Sequence, residues 1–172
     1  MKRVRVLAVL MAGVVMGVVS GMGQSVLADS TAVFTVPTLI RLVLNVTTID
    51  FGTLTEADYD RGYKEAPGAQ IVSVWSNRRW ILSVAAKEEQ WTGQWAKPAS
   101  DLRLRVASVN RPDRITDYLR DLTGLTRGGF TIAEGLPGGN LQHTMDFRVL
   151  VSWENDVPGA YSLGFTYTLT AP

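Results

Sequence analysis

The chain has no cysteine and a single histidine, His143. The missing cysteines exclude disulfides, thiol nucleophiles and lipid attachment behind a signal segment. With one histidine, a zinc centre of the usual ligand set cannot be assembled, and no cofactor is expected. A hydrolase or transferase needs a nucleophile with a base, paired acids or a metal cluster. His143 lies between Gln142 and Thr144 at the start of a predicted strand, where a partly exposed structural histidine is expected. Acidic side chains cluster only at Glu56, Asp58 and Asp60, an alternate spacing that suits Ca²⁺ if Gly62 and Glu65 supply the turn and a further acid. A solvated acidic loop is the simpler reading. No catalytic residue and no metal ligand is assigned, so the protein is read as not an enzyme. Beyond the N-terminus there is no second long apolar run, no internal repeat, no heptad and no low-complexity tract.

What is present begins with an export signal. Lys2, Arg3 and Arg5 form a basic start, Val6 to Val19 an apolar stretch, and Val26-Leu27-Ala28 a small-residue cleavage site. Gly13, Gly17, Gly21 and Gly23 interrupt the stretch, which falls short of the roughly 20 residues a membrane span needs. Residues 1–28 are therefore read as a removable signal peptide, and residues 29–172 as one domain exported to the periplasm, cell surface or exterior. Without the signal the balance is 14 basic against 16 acidic groups. That excludes the clustered basic face a nucleic acid or anionic membrane would require, and no membrane insertion is expected after cleavage.

The mature segment reads as strands separated by Gly, Pro, Asn and Asp. The strongest signal is Met145 to Thr170, where Met145, Phe147, Val149, Val151 and Trp153 alternate with polar residues, as do Tyr161, Leu163, Phe165, Tyr167 and Leu169. The turn formers Glu154 to Gly159 between them predict a hairpin. Further strands are predicted over Ala32 to Val36, Thr38 to Val46, Ile49 to Gly52, Gln70 to Ser76, Trp80 to Ala86, Asp101 to Val109 and Phe130 to Ala133. Glu56 to Gly68 reads as a loop with some hairpin character around Tyr63, and Lys87 to Ser100 as a loop or distorted hairpin. Ile115, Leu119 and Leu122 allow a short helix or an irregular crossing. About seven to nine short strands without intervening helices predict an all-β, antiparallel, two-sheet sandwich of the immunoglobulin-like kind. Its expected core contains Ile40, Leu42, Leu44, Val74, Leu82, Val84, Leu104, Phe147, Val149, Val151, Leu163 and Phe165.

Two segments carry a resemblance. Ile71 to Asn77, ending in Ser-Asn, is followed by an alternating strand opened by Trp80; Val157-Pro158-Gly159-Ala160-Tyr161 precedes the last strand. Both resemble bacterial surface β-sandwich domains, including fimbrial and pilin-like subunits, although the usual pilin disulfide is missing. The resemblance implies a structural or assembly role at the cell surface.

Two functions from different classes follow. In the first, the chain is a non-catalytic surface subunit that contacts copies of itself or other exported proteins. Residues 29–37 would be a mobile or exchanged arm, with Val33, Phe34, Val36 and Leu39 as contact residues. In the second it is a secreted carbohydrate- or protein-binding module. Trp91 and Trp95, in Trp91-Thr92-Gly93-Gln94-Trp95, would then stack on a ligand rather than cap the core. Trp75, Trp80 and Trp153 read as core or sheet-face residues. Asn45-Val46-Thr47 matches a glycosylation sequon but falls inside a predicted strand.

Overall fold

The computed structural model describes residues 30–172. The expected signal peptide and cleavage site lie outside the described residues. The chain divides into two units, Met1–Thr35 and Val36–Pro172. In the described part of the first, residues 30–35 form no strand, and Val33 and Phe34 are exposed.

In the second unit nine strands are described: β1 (Ile40–Leu44), β2 (Tyr63–Ser76), β3 (Trp80–Ala86), β4 (Leu102–Val109), β5 (Ile115–Asp117), β6 (Thr123–Gly124), β7 (Phe130–Gly135), β8 (Gly138–Leu150) and β9 (Phe165–Thr170). They form two antiparallel sheets, one ordered β1-β2-β8-β4-β6 and the other β5-β7-β3-β9. The apolar phase of each strand turns inward: Val72, Val74, Leu104, Leu141, Met145 and Phe147 from the first sheet meet Trp80, Leu82, Val84, Ile132 and Tyr167 from the second. One buried polar link crosses this core. Tyr167 donates its hydroxyl to Gln70 Oε1 at 2.8 Å, while Gln70 Nε2 donates to the Val46 carbonyl at 2.8 Å. Burial pushes the Tyr167 phenol well above its ordinary pKa.

The alternation of Met145 to Thr170 is real, but the hairpin is not. β8 pairs with β2 and β4, whereas β9 pairs with β3 in the opposite sheet. The two apolar faces therefore meet across the core, with Phe147 and Phe165 ring centroids 5.9 Å apart. Segment 151–164 carries the chain from one sheet to the other. Trp153, in this connection, is exposed and not a core residue; its ring lies 4.7 Å from Tyr59 and its Nε1 donates to Asp60 at 3.2 Å.

Other expectations are also corrected. No strand covers 32–36 or 49–52, and the first ladder is only Ile40–Leu44: it begins opposite Ser76, where β2 ends before the sheet-crossing corner at Asn77, and stops where the Asn45 side chain takes the Ile71 N–H at 2.6 Å. Ile40 is exposed, and Leu42 and Leu44 are half-buried, since β1 is an edge strand. Segment 56–68 is not a loop: it holds a helix, α1 (Glu56–Arg61), and the first residues of β2. β2 passes through Pro67 and Gly68 by a bulge; Gly68 adopts φ 58° and donates its N–H to Asp146 Oδ1 at 2.8 Å. Between 115 and 125 there is no helix. Ile115, Leu119 and Leu125 are buried from extended and irregular backbone.

Candidate functional site

Asp58 does not stand out with Glu56 and Asp60 as an open acidic loop. It is buried as the third residue of α1, and its carboxylate accepts the Thr55 N–H at 2.9 Å and the Thr55 hydroxyl at 2.8 Å. Arg61 pairs with it, and Lys64 lies 3.5 Å away. These contacts, the Thr55 N–H first, hold its pKa well below the usual carboxylate range. Gly62, with φ 78°, ends the helix. The segment is thus a capped helix turn, and among the described residues no group of three His, Cys, Asp or Glu side chains could hold a metal ion.

His143 is fully buried, contrary to the partly exposed position expected, because the β8 alternation points it into the core. Its ring stands edge-on to Trp80 at 5.6 Å, and Nδ1 lies 3.3 Å from the Val72 carbonyl. Nε2 has no partner among the described residues. Burial lowers the His143 pKa, against the opposing effects of the Val72 carbonyl and Asp117.

Two surface features remain. The first is the chain leading into β1. Val36 is 65% and Leu39 61% exposed, although both carry large apolar side chains. The backbone here is fastened by Asn77, whose Nδ2 donates to the Pro37 carbonyl at 2.7 Å and whose Oδ1 accepts the Leu39 N–H at 2.9 Å. The anchor explains why the segment is held extended without being buried. β1 approaches β9 across the sandwich, and among the described residues no strand is hydrogen-bonded to the outer edge of β9. Leu163, Phe165 and Leu169 pack on the core there but remain half-buried.

The second feature is a cleft of about 400 Å³ at the Lys87–Ser100 loop, lined in part by Trp95, Lys97, Asp101, Ser152, Asn155 and Asp156. The structure separates the two loop tryptophans: Trp91 packs against the core, and Trp95 is 50% exposed at the cleft. The loop folds back on itself through Trp91 N–H to Lys97 O at 2.8 Å and Ala99 N–H to Glu89 O at 2.8 Å. It is also tied to the 151–164 connection by a reciprocal pair of bonds between Thr92 and Ser162, at 2.8 and 2.9 Å. Beneath it Lys97 is buried, its Nζ 2.8 and 3.1 Å from the two Asp156 oxygens and 3.0 Å from Asp101 Oδ2. This triad was not anticipated. Its long-range half, Lys97 to Asp156, leaves no local pattern; only the four-residue spacing of Lys97 and Asp101 could have hinted at it.

Fold and site together define an all-β, two-sheet antiparallel sandwich that presents an apolar approach to one edge and a clamped, tryptophan-bearing cleft. The chain matches no protein-family model, and no curated protein matches it.

Proposed function

We propose that the protein is a non-catalytic, exported subunit of a cell-surface assembly, of the fimbrial or pilin-like kind, in which the N-terminal segment of one copy pairs with the β9 edge of another. The observation that carries this reading is the exposed apolar run Val36, Leu39 and Ile40, anchored by Asn77, in a domain whose β9 edge is unpaired among the described residues. An edge flanked by half-buried apolar side chains templates further strand pairing unless something covers it. In strand addition the main-chain ladder supplies affinity and alternate side chains supply specificity. Ala32, Phe34 and Val36 fall in one phase of such a strand, and Val33 in the other.

The strand order supports an immunoglobulin-like form of the sandwich. β1-β2-β8-β4 follows the A-B-E-D order, and β3-β9 follows C-F. In that frame the position beyond β9 is the one a G strand takes, and the arm of a neighbour would fill it.

The test compares chain 29–172 with chain 37–172 by light scattering and circular dichroism, with a synthetic peptide of residues 29–39 added to each. The expected result is concentration-dependent assembly of the longer chain, and a folded, monomeric shorter chain that binds the peptide. Assembly unchanged by the deletion would refute the role of the arm. Unfolding of the shorter chain would assign residues 29–36 to the domain's own core.

A further inference from the structure

We infer that the cleft beside Trp95 is a binding site for an uncharged glycan. The inference is independent of the assembly reading, since it rests on a different loop and a different surface.

A tryptophan that is half exposed on a free loop would be unremarkable, but this one is held. Gly93 lies directly under the Tyr161 ring, where any Cβ would collide, and Gly159 lies against Gln94 in the same way. Tyr161 is in turn fixed by its hydroxyl, which donates to the Val157 carbonyl at 2.8 Å. The residues just before Trp95 are thus clamped to the 151–164 connection by backbone bonds and by close packing, and Lys97, two residues after it, by its pairing with Asp156. An exposed indole on a fixed backbone presents a flat apolar face at reduced entropic cost, which suits stacking on the C–H face of a pyranose ring.

The cleft volume of about 400 Å³ falls in the range of small-ligand sites and admits a short glycan segment. Its polar lining is also specific in sign. The only cation among the lining residues is Lys97, and its ammonium already faces three carboxylate oxygens of Asp156 and Asp101. It has no donor to spare for an anionic ligand. Asp156 is further occupied by the Ser152 N–H at 2.8 Å. What remains for a ligand is the less buried Asp101 carboxylate, the Asn155 amide and the O–H of Ser152, whose oxygen already accepts the Glu154 N–H at 3.2 Å, a set that matches sugar hydroxyls. Two carboxylates against one ammonium leave the cleft with excess negative charge, which disfavours uronates and phosphate-bearing polymers.

The experiment is calorimetric titration of chain 29–172 with cellohexaose, maltohexaose, N-acetylchitotriose and, as the anionic comparison, hexagalacturonate. Binding of at least one uncharged oligosaccharide and none of hexagalacturonate is expected. Trp95→Ala should weaken that binding by roughly tenfold or more, and Trp95→Phe should recover part of it. Trp153→Ala, which removes a more exposed indole outside the cleft lining, should leave affinity unchanged. Thermal melting confirms that each variant is folded. The inference is overturned if none of the uncharged probes binds, if hexagalacturonate binds as well as they do, or if Trp95→Ala binds like the parent chain.

Discussion

Replacing Lys97 by methionine removes an ammonium while keeping an unbranched stem. The Lys97 and Asp156 side chains are 7% and 6% exposed at the floor of the cleft, so little water can take the place of either partner. Exposed pairs are worth at most about 1 kcal/mol, whereas stripping one partner from a buried pair costs roughly 3–5 kcal/mol because a bare charge remains. Here Asp101 is 24% exposed and regains some hydration, and Asp156 keeps the Ser152 N–H. The loss should therefore fall at the lower end, about 3 kcal/mol at pH 7. Asp156→Asn leaves Lys97 with Asp101 and should cost less, about 1–2 kcal/mol. The double variant should cost less than the sum, since the second change removes the stranded charge. Urea titrations at pH 7 provide the assay. A deficit below about 1 kcal/mol at pH 7, or strictly additive variants, would show that the triad is solvated and the reasoning wrong.

Phe147→Ala deletes a 1% exposed ring from the centre of the sandwich and should cost about 3–5 kcal/mol in a denaturant titration; a loss under about 1 kcal/mol would mean the two sheets do not close over it. His143→Gln should cost about 1–3 kcal/mol, because it disturbs a buried polar contact and the Trp80 packing. The unfolded chain protonates His143 near its ordinary pKa of about 6.5, while the folded chain resists doing so. Stability is thus full above that value and falls as pH drops through it toward the depressed folded value. His143 is the sole histidine, so a parent chain equally stable at pH 7 and pH 5, or a His143→Gln variant with the same slope, would contradict this.

Alternation along a strand says which side chains share a face, and that much was legible. The inward phases of β3, β4, β8 and β9 are as their residues suggest. It does not say which strand lies beside which. Glu154 to Gly159 has the composition of a hairpin turn, yet the connection around it is long enough to cross between sheets, and turn residues serve a crossing as well as a reversal. Ile40 was misplaced because an edge strand is covered on fewer sides than a central one, and nothing local marks an edge. α1 was readable in principle: Thr55 and Asp58 have capping spacing and Gly62 suits a C-cap, but six residues are too few to show an apolar period. Of the loop tryptophans, composition could not distinguish Trp91 from Trp95. Only the folding back of the loop, which turns one inward and leaves the other at a cleft, separates them.

The pairing of β2 with β8 has a consequence for the order in which the molecule can form. These strands make the centre of the larger sheet, and their partners, such as Val72 with His143, are 71 residues apart, about half of the domain. As the chain emerges from a ribosome or a channel, β1 and β2 can pair early, but the sheet has no centre until β8 follows. The smaller sheet waits longer still, because β3 gains its second neighbour only with β9. Closing such long loops before any core contact rewards them makes folding slow, and late. Until then apolar strands stand unpaired, and the interval is the period in which the chain is most open to capture by other proteins or by its own copies.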